Sequence, residues 1–583
     1  MRRSMRYWLA VFLIAAIGQA NSAFAGNEMK VALVMKALSN PFFLKMQEGA
    51  KAYADKKGIE LEAFGIERET DVDRQIGIME NLIARGYGAI VIAPADSKTL
   101  VPVCKKAVEK GIVVINIDNP LHKETLQANQ LSIPFVGSDN RAGAAMVGSY
   151  LKRKLNGAGK VMVIEGIRGA ENAELRKDGF IEAVTAESQI EIVASESANW
   201  HTDEAFAVTT ALLEAHPDAS AIFCANDSMA LGAIQALDMA GLSTAVLVGG
   251  YDNIEEVRAA MSSRAMHATI EQHPELMGEY GVDLAARAMR GERIPAYTST
   301  PLDVITSDGF EKKIGLSLSN TDNPFFADLR RGAERAADLF GAELLVKNAG
   351  NDDAQQLVDL QAFLDEPVAL IIVNPTNAET VSPAIELANS AGIPVMTVDR
   401  AATNDAQILA HVASDNVAGG KMAAEFVANS LNGKGSALEL EGIPGTSAAH
   451  DRGQGFDDAL KAVPDLKIAA REVADFDRQK TRDVVEHLLK GGLRVDAVFA
   501  HNDAMILGAI DAFEAAQKPM PAVLVGFDAI PDALAAIREK KLTATVAQKP
   551  ENMGWQAVKS AVAALQGETL PPKIFVDLEL ISQ

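Results

Sequence analysis

Cysteine is almost missing from this chain: Cys104 and Cys224 are the two in 583 residues. No disulfide framework can organise a molecule of this length from one pair, and without a CxxC motif there is no zinc ribbon or dithiol redox centre. Both are expected to be small buried thiols flanking strands. Basic charge is also short. Against 78 Asp and Glu there are 55 Lys and Arg, a net charge of −23, which excludes nucleic acid as a partner because a phosphate-binding surface must displace counterions with Lys and Arg. Long apolar runs are lacking except at Tyr7 to Ile17, which falls short of the roughly 20 residues that span a bilayer. That run follows Arg2, Arg3 and Arg6 and precedes Ala23-Phe24-Ala25, the order of a secretory signal. Residues 1–25 are therefore expected to be a signal peptide cleaved near Ala25, giving an exported, periplasmic product with no stable membrane insertion.

The signatures of catalysis are absent as well. There is no P-loop, no HExxH and no G-x-S-x-G elbow, and Gly453-Gln454-Gly455 lacks the third glycine of a dinucleotide loop. His201, His411 and His450 do not have metal-ligand spacing. The expectation is a protein that is not an enzyme and needs no cofactor and no metal.

A chain of 583 residues exceeds what one hydrophobic core supports, and a repeat explains the length. SNPFF at Ser39 to Phe43 returns as DNPFF at Asp322 to Phe326, FCANDSMALGAI as FAHNDAMILGAI, VLVGGYD as VLVGFDA, and ATIEQHPE as ATVAQKPE. Asn226 and Asn502, Asp252 and Asp528, and Gln272 and Gln548 are each 276 positions apart. One constant offset over three separated motifs means two copies of one unit. The copies are placed at 29–306 and 312–583, with a linker at 307–311.

Within each copy, short apolar runs such as KVALVMK, AIVIAP, VVINID and AIFCAND, or ALIIVNP, PVMTVDR and DAVFAHND, alternate with helical stretches. Continuous apolar strands between helices indicate parallel sheets covered on both faces, a doubly wound α/β architecture. Such sheets bind ligands beyond the carboxyl ends of their strands. Asn374, Asp399, Asn502, Asp528 and Gln548 each follow an apolar run there. Asn and Asp also cap turns for purely structural reasons, so at single positions both readings stand. As a set, Asp, Asn, Gln and Arg suit vicinal hydroxyls, which both donate and accept. Phe325, Phe326, Phe476 and Phe527, or Phe42, Phe43, Trp200 and Tyr251, offer flat faces to a sugar ring.

The stretches SNTDNPFF, IVNPTN, VDRAAT, ASDNVAGGK, GIPGTSAAHDRGQGF, ADFDRQK, HNDAMILGA and VGFD make the second copy resemble the ribose-binding branch of the periplasmic sugar-binding family, which serves ABC importers. That resemblance implies a type I fold of two lobes joined by a three-crossing hinge that closes over ligand. It also implies a set of sugar contacts. Ser319, Asn323, Phe325, Phe326, Asn374, Asp399 and Arg400 would come from one lobe. Arg452, Phe476, Asn502, Phe527, Asp528 and Gln548 would come from the other lobe or the hinge. D-ribose or a close pentose is the implied ligand.

The first copy is similar to the allose-binding branch through VMKALSNPFF, VIAPAD, VIEGIRGAENAELRKDGF, FCANDSMALG and TIEQHP. Its implied contacts are Lys36, Asn40, Phe42, Phe43, Asp118, Asn119, Arg176, Trp200, Asn226, Tyr251, Asp252 and Gln272. Lys36 stands in place of Ser319, Ala93 of Asn374, Asn119 of Arg400 and Trp200 of Phe476. These exchanges remove a guanidinium and an amide, so the two copies are expected to differ in ligand: a hexose such as D-allose or a polyol in the first, with an anionic sugar conceivable through Lys36. The expected partners are monosaccharides and the membrane permease of an ABC sugar importer. A periplasmic sensor presenting its ligand to a membrane receptor or histidine kinase is the alternative. Hinge candidates are Pro134 to Asn140 and the stretch after Gln272.

Overall fold

A computed structural model describes residues 30–310, 312–321, 324–366, 368–403 and 405–582. The expected signal peptide, Glu311 of the expected linker and Asn323 lie outside the described residues. The chain divides into two compact units between Ser307 and Asp308.

Each unit carries two six-stranded sheets among the described residues. Across the first sheet the strands run Tyr297–Ser299, Phe135–Gly137, Val113–Ile117, Ala89–Ile92, Lys30–Ala37 and Glu60–Ile66, all paired parallel. Across the second they run Asp303–Thr306, Ala268–Glu271, Leu247–Gly249, Ala221–Cys224, Ala158–Glu165 and Gln189–Ser197, parallel except for the first pair. The second unit repeats both sheets, including the antiparallel pairing of Glu579–Ser582 on Ala544–Ala547. This is the doubly wound architecture that the apolar runs imply.

Burial on both faces explains those runs. Along Lys30–Ala37, Val31, Leu33 and Met35 enter one core while Ala32 and Val34 enter another on the opposite face. Polar residues are tolerated at the edges: Glu60–Ile66 and Glu343–Asn348 are partly exposed and read as ELEAFGI and ELLVKN.

The first unit's chain passes between its sheets three times. It leaves the first sheet after Gly137, returns after Gln272 into the helix Pro274–Met289, and leaves again between Ser299 and Asp303. The first crossing therefore follows the strand Phe135–Gly137, toward the end of the expected hinge stretch. The helices Pro41–Lys57 and Pro274–Met289 lock the returning segment onto the first lobe through glycine. A Cβ on Gly49 would lie 2.1 Å from the Glu275 carbonyl oxygen, and one on Gly278 the same distance from that of Met46. Gly332 and Gly554 make the same close approach in the second unit.

Candidate ligand-binding clefts

The sites are built on an unusual backbone. Asp118 and Asp399, at the ends of equivalent strands, have φ of 63° and 62°, and Asp252 and Asp528 both have φ of 113°. Trp200 and Phe476 also sit at positive φ, 70° and 59°, where a bulky side chain is costly. Backbone strain of this kind persists where surrounding structure fixes it and clusters at ligand clamps. Here it recurs at matching positions in both units. Each aromatic ring lies on a glycine: a Cβ on Gly166 or Gly442 would fall 2.2 or 2.1 Å from the ring of Trp200 or Phe476.

In the first unit, side chains of both lobes line a small cleft with about 240 Å³ of space that includes its opening to solvent. Lys36 reaches it from the end of Lys30–Ala37 and lies 3.2 Å from Asp118 Oδ2 and 3.6 Å from Glu69 Oε2. Asn40 donates to Glu69 at 3.2 Å while its own Oδ1 caps the helix Pro41–Lys57. The opposite wall centres on Arg176. Its guanidinium donates to Asn140, to the Ala225 carbonyl, to Asp252 and to Gln272, and lies on Tyr251 with 3.9 Å to the ring centroid.

The second cleft repeats the frame around a larger space of about 1130 Å³, which likewise includes its opening to solvent. Arg452 donates to Asn416 at 2.8 Å and to the His501 carbonyl, lies 3.8 Å from the Phe527 centroid, and stands 3.7 Å from Asp528. Gln548 donates to Asp528 at 2.7 Å. Facing them, Phe325 and Phe326 pack edge to face, and Arg400 lies over Phe326.

The electrostatics follow from burial. Burial raises the pKa of Asp252 to about 7, with Arg176 pulling it down and Asp118 and Glu69 pushing it up. Burial likewise raises Asp528 to about 6 against Arg452. Asp399 is raised by burial and drawn back by Arg400 and Arg452. Such groups favour hydroxyl donors, which stabilise the charged carboxylate without adding charge.

Most of the expected residues line the clefts: Lys36, Asn40, Phe42, Phe43, Asp118, Arg176, Trp200, Asn226 and Asp252 in the first, and Phe325, Phe326, Asp399, Arg400, Arg452, Phe476, Asn502, Asp528 and Gln548 in the second. Asn226 and Asn502 also cap helices, accepting from Met229 and Met505 at 2.9 Å, the structural role that Asn takes at such turns.

Several expected contacts stand elsewhere. Ser319 and Asn374 are fully buried behind the wall, Ser319 bonding Asn374 and Asn374 donating to Asp399 at 3.1 Å. Tyr251 and Phe527 lie beneath their arginines against Gly143 and Gly419. Gln272 braces Asp252 and Arg176 from behind. Asn119 turns away from the cavity and bonds Ser97, Pro94 and the backbone of Asn172. Lys36 is already paired with Asp118 and Glu69, which argues against an anionic ligand.

Glu69 and Asn172 in the first cleft, and Asn351, Thr376 and Asp475 in the second, line the cavities without having been singled out. Glu69 and Asn351 follow the edge strands, so the same strand-end rule, applied to those, finds them. Glu271, His273 and Glu275 bring possible metal-ligating atoms within 4.8 Å of one another. The His273 ring nitrogens already face Asp303 at 2.8 Å and Glu275 at 3.3 Å, so this grouping serves as an ion network at the hinge.

Two lobes of mainly parallel sheet with a polar, aromatic-walled cleft between them define a two-lobed ligand-binding module, present twice. The model of the periplasmic binding protein domain matches residues 31–293 and again 314–569, and the chain belongs to that family, whose members bind ligands and are not enzymes. It is 43% identical over 284 residues to a D-ribose/D-allose-binding protein of Pseudomonas aeruginosa, spanning 48% of this chain and 89% of that protein. It is 41% identical to the ribose import binding protein RbsB of Haemophilus influenzae, over 50% of this chain and all of that protein. It is 34% identical to the D-allose-binding periplasmic protein of Escherichia coli, over 52% of this chain and 96% of that protein. Each relative is matched nearly whole by about half of this chain. No described helix is long and apolar enough to cross a membrane.

Proposed function

We propose that the chain is a periplasmic solute-binding protein for an ABC sugar importer, exported with residues 1–25 removed. It carries a ribose-type module at 312–583 and an allose- or polyol-type module at 29–306, joined at 307–311. The observation that carries this reading is the second cleft. Asp399 and Arg400 from one lobe face Arg452, Asp528 and Gln548 from the other, between Phe325 and Phe326 on one side and Phe476 on the other. Carboxylates and guanidinium groups that fix hydroxyl geometry, with rings on both faces, are what a single sugar ring needs. The first cleft keeps the aspartates, the arginine and the aromatic walls but exchanges Ser319, Asn374 and Arg400 for Lys36, Ala93 and Asn119. Its added Lys36 and Glu69 suit one more hydroxyl than a pentose presents. The test is uptake of labelled D-ribose in cells lacking this chain. Lost uptake supports delivery to an importer, and unchanged uptake with a lost transcriptional response to ribose would replace it with the sensory role.

A further inference from the structure

Beside its cavity, the first module joins its two lobes by a helix cap that reaches across the cleft. The helix Glu171–Thr185 belongs to the second lobe, and its N-cap position is Ala170, whose side chain has no oxygen to accept from the first two N–H groups of the helix. The acceptors come from the other lobe. Ser97 Oγ accepts from the Glu171 N–H at 3.0 Å, and Asn119 Oδ1 accepts from the Asn172 N–H at 3.2 Å. The pair is fixed in turn: Ser97 donates to Asn119 at 3.2 Å, and Asn119 Nδ2 donates to the Pro94 carbonyl at 3.0 Å. Both side chains are fully buried and neither lines the cavity, whereas the side chain of Asn172 does.

The second module has changed both halves of this arrangement. At the position of Ala170 it has Thr446, whose own hydroxyl accepts from Ala449 at 3.4 Å. At the positions of Ser97 and Asn119 it has Ala378 and Arg400. Its helix is capped locally, and the opposite lobe offers no matching oxygens. The hinge shows the same contrast. Ser138 donates to Gln272 at 2.6 Å in the first module, while the corresponding Ser414 Oγ and Gln548 Oε1 have no hydrogen-bond partner among the described residues.

We infer that Ser97 and Asn119 are positioning residues for the first cleft: they form a cap in trans that exists only when the lobes meet, and so bias this module toward closure before ligand arrives. The consequence for binding rests on the sugar-site reading above; the closure itself does not. The local cap of the second module serves the third N–H of its helix, whereas Ser97 and Asn119 serve the first and second, so the latch is released by removing these two acceptors, neither of which lines the ligand wall. Because apparent affinity scales with the fraction of molecules in the competent state, the latch tightens binding by slowing dissociation.

The experiment uses the full chain and two variants, Ser97→Ala and the double variant Ser97→Ala/Asn119→Ala. D-allose dissociation from the first module is followed by stopped-flow fluorescence of Trp200. The double variant should release the sugar roughly tenfold faster, and Ser97→Ala by a smaller factor. Wild-type dissociation rates in both variants would overturn the latch. Spin labels on cysteines placed at exposed Glu67 and Asp203, one on each lobe, report closure with no sugar present; Cys104 and Cys224 are buried. The latch predicts a short distance that lengthens in the double variant, and an unchanged distribution refutes it. If wild-type protein binds no D-allose, the ligand assignment fails, and these distances alone decide the latch.

Discussion

Arg452 lies flat on Phe527, its guanidinium carbon 3.8 Å from the ring centroid, and Arg176 repeats this on Tyr251 at 3.9 Å. The ring beneath and the acceptors behind, Asn416 and His501 for Arg452, leave the guanidinium one orientation, aimed at the aspartate and the ligand. Lysine keeps the charge and loses the plane. Arg452→Lys should therefore weaken D-ribose binding by about 2–3 kcal/mol, or roughly 30–150-fold. Calorimetric titration checks this; wild-type affinity would show that the fork is not used.

The fold was legible because central strands are buried on both faces and must be apolar throughout. The edge strands Glu60–Ile66 and Glu343–Asn348 are half in solvent and carry Glu and Lys. They show no such run, and Glu69 and Asn351 were missed with them. The strand-end rule found Asp399 and Asp528, and the family resemblance supplied their counterparts Asp118 and Asp252. It could not show that Ser319, Asn374 and Phe527 lie one layer behind the wall, because a side chain touching ligand and one bracing it have the same chemistry. Asn119 was least legible of all. Its acceptor serves an N–H 53 positions later, on a lobe that meets it only by closure. The positive φ of Trp200 and Phe476 likewise had no signal in residue type.

The buried charges of the first cleft are mutually dependent. Lys36 is 2% exposed, between Glu69 at 5% and Asp118 at 3%. Lys36→Ser, which introduces the residue found at position 319, leaves two carboxylates without their cation and should cost about 3–5 kcal/mol. Adding Glu69→Gln should recover much of that loss, because the two sites couple through one network. Denaturant unfolding of the single and double variants measures both effects, and additive losses would contradict the pairing.

The hinge of the first module carries a titratable clasp. Burial opposes protonation of His273, but Asp303, Glu275 and Glu271 outweigh it and raise the pKa from 6.5 to about 9; Lys45 nearby favours the charged forms of Glu271 and Glu275. A raised histidine contributes stability that is complete below the unfolded value of about 6.5 and lost as pH climbs through about 9. The thermal transition of the first module should fall over that window, by an amount equivalent to about 2–3 kcal/mol. His273→Lys, matching Lys549 beside Glu579, should abolish the fall. A flat profile in the wild type would refute the clasp.

The central claim is the proposal that two modules of one descent hold different sugars, carried by the exchange of Ser319, Asn374 and Arg400 in the second for Lys36, Ala93 and Asn119 in the first. The direct test is calorimetric titration of the full chain with D-ribose and with D-allose, separately and each after saturation with the other. The account predicts one tight site for each sugar, with D-ribose heat lost in Arg452→Ala and D-allose heat lost in Arg176→Ala. Two equal D-ribose sites that D-allose cannot share would contradict it.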